Sequence, residues 1–145
     1  MIDAAELGAR IRKHRGCGVV HCAAGNLESR DPDTAFHVLT GVVPPEDTGR
    51  WSPIDTGHAE RILTRVLHRD LAYNGAIMPR DLARRFAREF LSLAPPGARV
   101  LTNAPDLAED SEEWSFSPAT EAAWDAGVLI VGDQYAAALW VEDED

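Results

Sequence analysis

Residues 127–141 read GVLIV, then Gly132-Asp133, then QYAAALWV. Two apolar arms around two turn-forming residues predict a tight β-hairpin. Both arms are apolar on both faces, so helices are expected to cover the hairpin on at least one side. A chain of 145 residues that is 45% hydrophobic suits one domain, 1–145, able to supply that cover from its own helices.

Three helices are predicted. Asp3 and Glu6 form a D-x-x-E start for a helix from Asp3 to about Arg15, with Leu7 and Ile11 on one face and Arg12, Lys13 and Arg15 at the negative end. In HAERILTRVLHRDLAYNG, Ala59, Ile62, Leu63, Val66, Leu67 and Leu71 keep helical spacing. Asp55 or Thr56 starts this second helix and Asn74-Gly75 ends it. Pro79 opens the third helix, whose stripe is Leu82, Phe86, Phe90 and Leu93, and Pro95-Pro96-Gly97 stops it. Strands are expected at 17–23, 36–43 and 98–103 in addition to the hairpin, and PPEDTGRWSPIDTG is a turn-rich loop. The expected fold class is α+β: a small mixed sheet with a C-terminal β-hairpin, packed against about three helices.

Charge divides the chain unevenly. Residues 100–145 contain 12 of the 24 carboxylates and no Lys, Arg or His, while all 14 Lys and Arg precede them. Such an asymmetry points to a charged partner or an acidic tail. It also argues against binding nucleic acid, which needs excess positive charge on the contact face. No apolar run approaches the roughly 20 residues of a membrane helix, and the first fifteen residues lack the apolar core of a secretory signal. Two cysteines, Cys17 and Cys22, fit reduced thiols, so a cytoplasmic location is expected.

The run VVHCAAG, residues 19–25, resembles the signature loop of the protein tyrosine phosphatases over those seven residues. The resemblance implies Cys22 as a thiolate nucleophile, backbone N–H groups wrapping a phosphate, and an arginine six positions after the cysteine. That position holds Glu28, and Arg30 comes two positions late. Read from its residues alone, the stretch is a buried strand with Cys17, Val19 and His21 on one face and Gly18, Val20 and Cys22 on the other. His21, His37 and Cys17 are the residues a metal would use, but no C-x-x-C or H-x-x-x-H spacing supports a site, and no cofactor signature is present. His58, Arg61, Arg65 and His68 form a basic stripe expected to be a solvated helix face or an anion grip, and Arg80, Arg84, Arg85 and Arg88 repeat the choice.

The segment EDSEEWSFSPATEAAWD, residues 109–125, sets Trp114, Phe116 and Trp124 among Glu109, Asp110, Glu112, Glu113, Glu121 and Asp125. Aromatic anchors inside a carboxylate rim suit a docking face for a basic protein. The expected partner-binding set is Glu109, Asp110, Glu112, Glu113, Trp114, Phe116 and Asp125. The corresponding function is an acidic, cytoplasmic protein-binding module, an immunity or antitoxin-type inhibitor of a basic bacterial toxin or nuclease. The competing expectation is a small enzyme of thiol or histidine type, a hydrolase or phosphatase-like protein, centred on His21 and Cys22. No catalytic residue is assigned.

Overall fold

A computed structural model describes residues 2–46 and 49–144. Asp47 and Thr48 of the turn-rich loop and Asp145 of the acidic end lie outside the described residues. The fold is α+β: the described residues form four helices on a five-stranded sheet of order β1-β5-β4-β3-β2, antiparallel at every pairing.

The predicted hairpin is the centre of that sheet. Strands β4 (Trp124–Val131) and β5 (Ala136–Asp143) pair from Trp124↔Asp143 to Val131↔Ala136. Its turn is centred one residue later than expected, on Asp133-Gln134, with the Gly132 N–H donating to the Tyr135 carbonyl at 2.7 Å. The first arm also starts three residues earlier, at Trp124. Strand β1 (Val19–Gly25) flanks β5, and β3 (Arg99–Thr102) flanks β4. A two-residue strand, β2 (Ser52–Pro53), closes the other edge.

Side chains alternate cleanly across the two faces. Ala126, Val128, Ile130, Ala137, Leu139 and Val141 join Val20 and Cys22 against helices α1 (Ala4–His14), α3 (Thr56–His68) and α4 (Arg80–Leu91). Asp3 caps α1 by accepting from the Ala5 N–H, and Asp55 caps α3 by accepting from the His58 N–H, as their types allow. Helix α3 stops at His68, six residues before the expected Asn74 end. Asp70 diverts the chain by accepting from the Ala72 and Tyr73 N–H groups, so the left-handed Asn74 (φ 61°) serves a turn beyond the helix.

The opposite face carries Leu129, Val131, Ala136, Ala138 and Trp140, and its cover is the main departure from expectation. Residues 36–43 do not form a strand. Helix α2 (Pro32–Thr40) occupies them, capped by Asp31 on the Thr34 N–H, opened by Pro32, and ended by Gly41 in the left-handed region at φ 78°. The cap, the proline and the glycine outweigh the β-branched residues that suggested a strand. Phe36 of α2 meets Trp140 edge-on with centroids 4.9 Å apart, and Trp51 meets Trp140 at 5.5 Å. With that strand gone and the small edge strand β2 in its place, no parallel pair remains, and the mixed sheet becomes antiparallel.

A buried ion pair ties the two ends together. Arg15, just beyond α1, forks onto both oxygens of Asp143 at the end of β5, at 3.0 and 2.7 Å. It also donates to the carbonyls of Val66, Cys17 and Arg69. Asp143 in turn accepts from the Leu71 N–H at 2.9 Å.

Candidate functional site

Between β3 and β4 the chain makes an excursion through residues 103–123, and three devices hold it. At its base, Asn103 donates to the Ser117 and Asp125 carbonyls and to the Asp125 carboxylate, and the Ser117 N–H returns to the Asn103 carbonyl. Asp125 is the hub: its buried carboxylate also accepts from the N–H groups of Ala119 and Thr120, from the Thr120 hydroxyl and from the Trp140 indole. Burial pushes its carboxyl upward in pKa, opposed by those donors, led by Ala119 and Trp140. Leu107 plugs the excursion into the helix-side core. At its far end Trp114, Phe116 and Trp124 stack as a trio with centroids 5.3–5.6 Å apart. All three rings are half-buried.

Trp114 and Phe116 stand together in the trio, and the expected partner-binding carboxylates fall into three groups. Asp125 is buried and carries no surface role, because its carboxylate organises the excursion from inside. Glu109 and Asp110 are met by arginines of α4: Arg84 reaches both Glu109 oxygens at 3.2 and 3.1 Å, and Arg80 reaches Asp110 at 3.5 Å. Their charge is locally balanced. Glu112 and Glu113 are exposed, beside Trp114, and form no salt bridge among the described residues. Sequence reasoning passed over Asp106 and Glu144 as contact residues. The Asp106 carboxylate holds Ser115, and Glu144 accepts from the Ala123 N–H, so both stand next to the aromatic trio. Glu121 is exposed on the same excursion.

Beneath Glu112 and Glu113 lies a cavity of about 220 Å³ lined by Arg65, Leu71, Ala72, Asn74, Trp114 and Trp124 together with those two carboxylates. Arg65 is 1% exposed, departing from the solvated face expected along α3, while Arg61 of the same stripe is exposed and His58 and His68 are half-buried. The excursion covers that face of the helix, and the Ser111 carbonyl accepts from Arg65 Nε at 3.3 Å. Its two terminal nitrogens find no partner, and neither does the buried Asn74 Oδ1. Burial, reinforced by Arg69 and Arg15, lowers the Arg65 pKa to about 10. The sequence signal for this residue was its place among Ile62, Leu63, Val66 and Leu67, within a run (62–67) that is buried throughout, but the covering segment is 46 residues away.

His21 and Cys22 diverge as the strand alternation predicts. His21 Nε2 meets Glu142 of β5 at 2.6 Å, while Cys22 faces α1, and burial pushes its thiol up to about 11. Cys22 lies in mid-strand paired with Leu139, and pairing continues to Gly25↔Ala136. On its β5 side the backbone of this stretch is engaged in the sheet ladder, as an extended strand and not a loop wrapped round a ligand. His37 is exposed on α2 with Nδ1 at the Val42 carbonyl, away from Cys17 and His21. The metal-ligand types that do converge are Cys17, Asp70 and Asp143. Both Asp143 oxygens already accept from Arg15 there. Among the described residues no helix is long and apolar enough to cross a membrane. No family model, curated protein or solved structure matches this chain, so its functional reading rests on the geometry of the 103–123 excursion.

Proposed function

We propose that this protein is a binding module that docks a basic protein through the aromatic trio and the carboxylates around it, acting as an immunity or antitoxin-type inhibitor of a toxin or nuclease. The observation that carries the reading is the half-buried cluster Trp114, Phe116 and Trp124, flanked by Asp106, Glu112, Glu113 and Glu144, none of which is claimed by an arginine. Large rigid rings supply contact area at small entropic cost, and unpaired carboxylates around them speed the arrival of a cationic surface. An enzyme acting on nucleic acid must present a positive cleft, and a carboxylate-rimmed surface can occupy it without being turned over. The reading is narrower than charge counting implied, since α4 neutralises Glu109 and Asp110.

The test is affinity retention of proteins from the native organism at low ionic strength, eluted with a salt gradient. The wild type should retain a basic protein that elutes steeply with salt, and Glu112→Lys with Glu113→Lys should lose it. A retained protein that is indifferent to both salt and charge reversal would refute the reading, as would retention of none.

A further inference from the structure

The cavity under Glu112 and Glu113 combines features that a docking face does not require. Arg65 and Asn74 both line it, and the two terminal guanidinium nitrogens and the amide Oδ1 are unpartnered and sealed from solvent just behind its wall. Orphaned polar groups of this kind cost stability, of order 1–3 kcal/mol each and more when charged. Two tryptophans and Leu71 wall the space. Its volume of about 220 Å³ leaves room for one small organic molecule.

We propose that this cavity is a binding site for a small zwitterion of the apolar α-amino acid class. Arg65 supplies two parallel donors, the arrangement that grips a carboxylate bidentately. Asn74 Oδ1 accepts one ammonium N–H, and the Glu112 and Glu113 carboxylates at the mouth face the remaining positive charge. Those same carboxylates repel a bare anion such as phosphate, which is why a zwitterion fits better. The aliphatic side chain lies against Trp114, Trp124 and Leu71. Other charges around Arg65 are Arg15 and Arg69, which add positive potential, and Asp70 and Asp143, which offset part of it. The space opens past Glu112 and Glu113, but contact with the sealed terminal nitrogens of Arg65 requires the stretch around Ser111 to lift, its carbonyl capping Arg65 Nε at the long distance of 3.3 Å.

The cavity shares Glu112, Glu113, Trp114 and Trp124 with the docking face, but Arg65 is buried and belongs to the cavity alone, so its replacement tests this inference separately. The probes are L-leucine, L-leucinamide, which lacks the carboxylate, and 4-methylpentanoate, which lacks the ammonium group. Tryptophan emission and thermal midpoint report binding to the full chain. Leucine should change both saturably with millimolar or tighter affinity, and each analogue should bind at least tenfold more weakly. Arg65→Met should abolish the response while the unliganded thermal midpoint stays level or rises, because an unpaired buried charge has been removed. Asn74→Gly, which tolerates the left-handed backbone at φ 61°, keeps the fold and should weaken leucine severalfold. No saturable response to leucine, an equal response to either analogue, or a response that survives Arg65→Met would overturn the proposal.

Discussion

Replacing Asp143 by alanine should be among the most damaging single changes in this protein. The carboxylate is 2% exposed and takes both terminal nitrogens of Arg15, whose own side chain is fully enclosed, together with the Leu71 N–H. Removing it leaves a guanidinium that cannot reach water and a backbone donor without an acceptor. Loss of one partner from a buried pair typically costs about 3–5 kcal/mol. The Val66, Cys17 and Arg69 carbonyls still accept from Arg15 and hold the cost near the lower end of that range. With a urea dependence of about 2 kcal/mol per molar, the unfolding midpoint should fall by about 1.5 M. Arg15→Met combined with Asp143→Leu removes both charges, and should recover at least half of the loss, giving a large favourable coupling in the double-mutant cycle. A loss under about 1 kcal/mol for Asp143→Ala, the scale of a solvent-exposed pair, would refute the claim that this contact ties the last strand to the ends of α1 and α3.

Asp125→Ala should cost at least about 3 kcal/mol, because four donor groups lose their acceptor, and should raise amide exchange across residues 103–123 far more than in α1; uniform exchange would contradict the hub role. Cys22 should resist alkylation at pH 8, reacting far more slowly than the exposed Cys17 in thiol-specific mass labelling. Its folded pKa is raised, so the folded state holds a proton that the unfolded chain releases above about 9; chemical stability should therefore fall between pH 9 and 11 and do so less in Cys22→Ala. Gly127→Val should destabilise the hairpin severely, since a Cβ there meets the Leu139 carbonyl and the Trp140 backbone at 2.8 Å, which urea titration would show.

What the sequence made legible follows from where its signals are local. The hairpin, α1, α3 and α4 were readable because apolar spacing and capping residues such as Asp3, Asp55 and Pro79 lie within a few positions of what they specify. Residues 36–43 misled because Val38, Thr40, Val42 and Val43 favour a strand, while the decisive cues, Asp31-Pro32 and Gly41, lie upstream of the segment and within it, at the two ends of α2. The same limit governs the site. That the aromatics and carboxylates of 109–125 would stand together was visible in one segment. That Arg84 would take Glu109, and that the segment would fold back over Arg65, depends on contacts 25 and 46 residues apart with no local signature. Asp125 looked like its acidic neighbours in sequence, and only the return of Ala119 and Thr120 onto it makes it internal.

The claim on which the functional reading depends is that the aromatic trio lies in a negative field that α4 does not cancel. Quenching of tryptophan emission by caesium and by iodide at low ionic strength measures that field directly, with Trp114→Phe identifying the contribution of the trio. Trp140 is enclosed and silent to both ions. The account predicts that caesium quenches the Trp114-dependent emission more efficiently than iodide, and that added salt removes the difference. Equal quenching by the two ions, or stronger quenching by iodide, would contradict it.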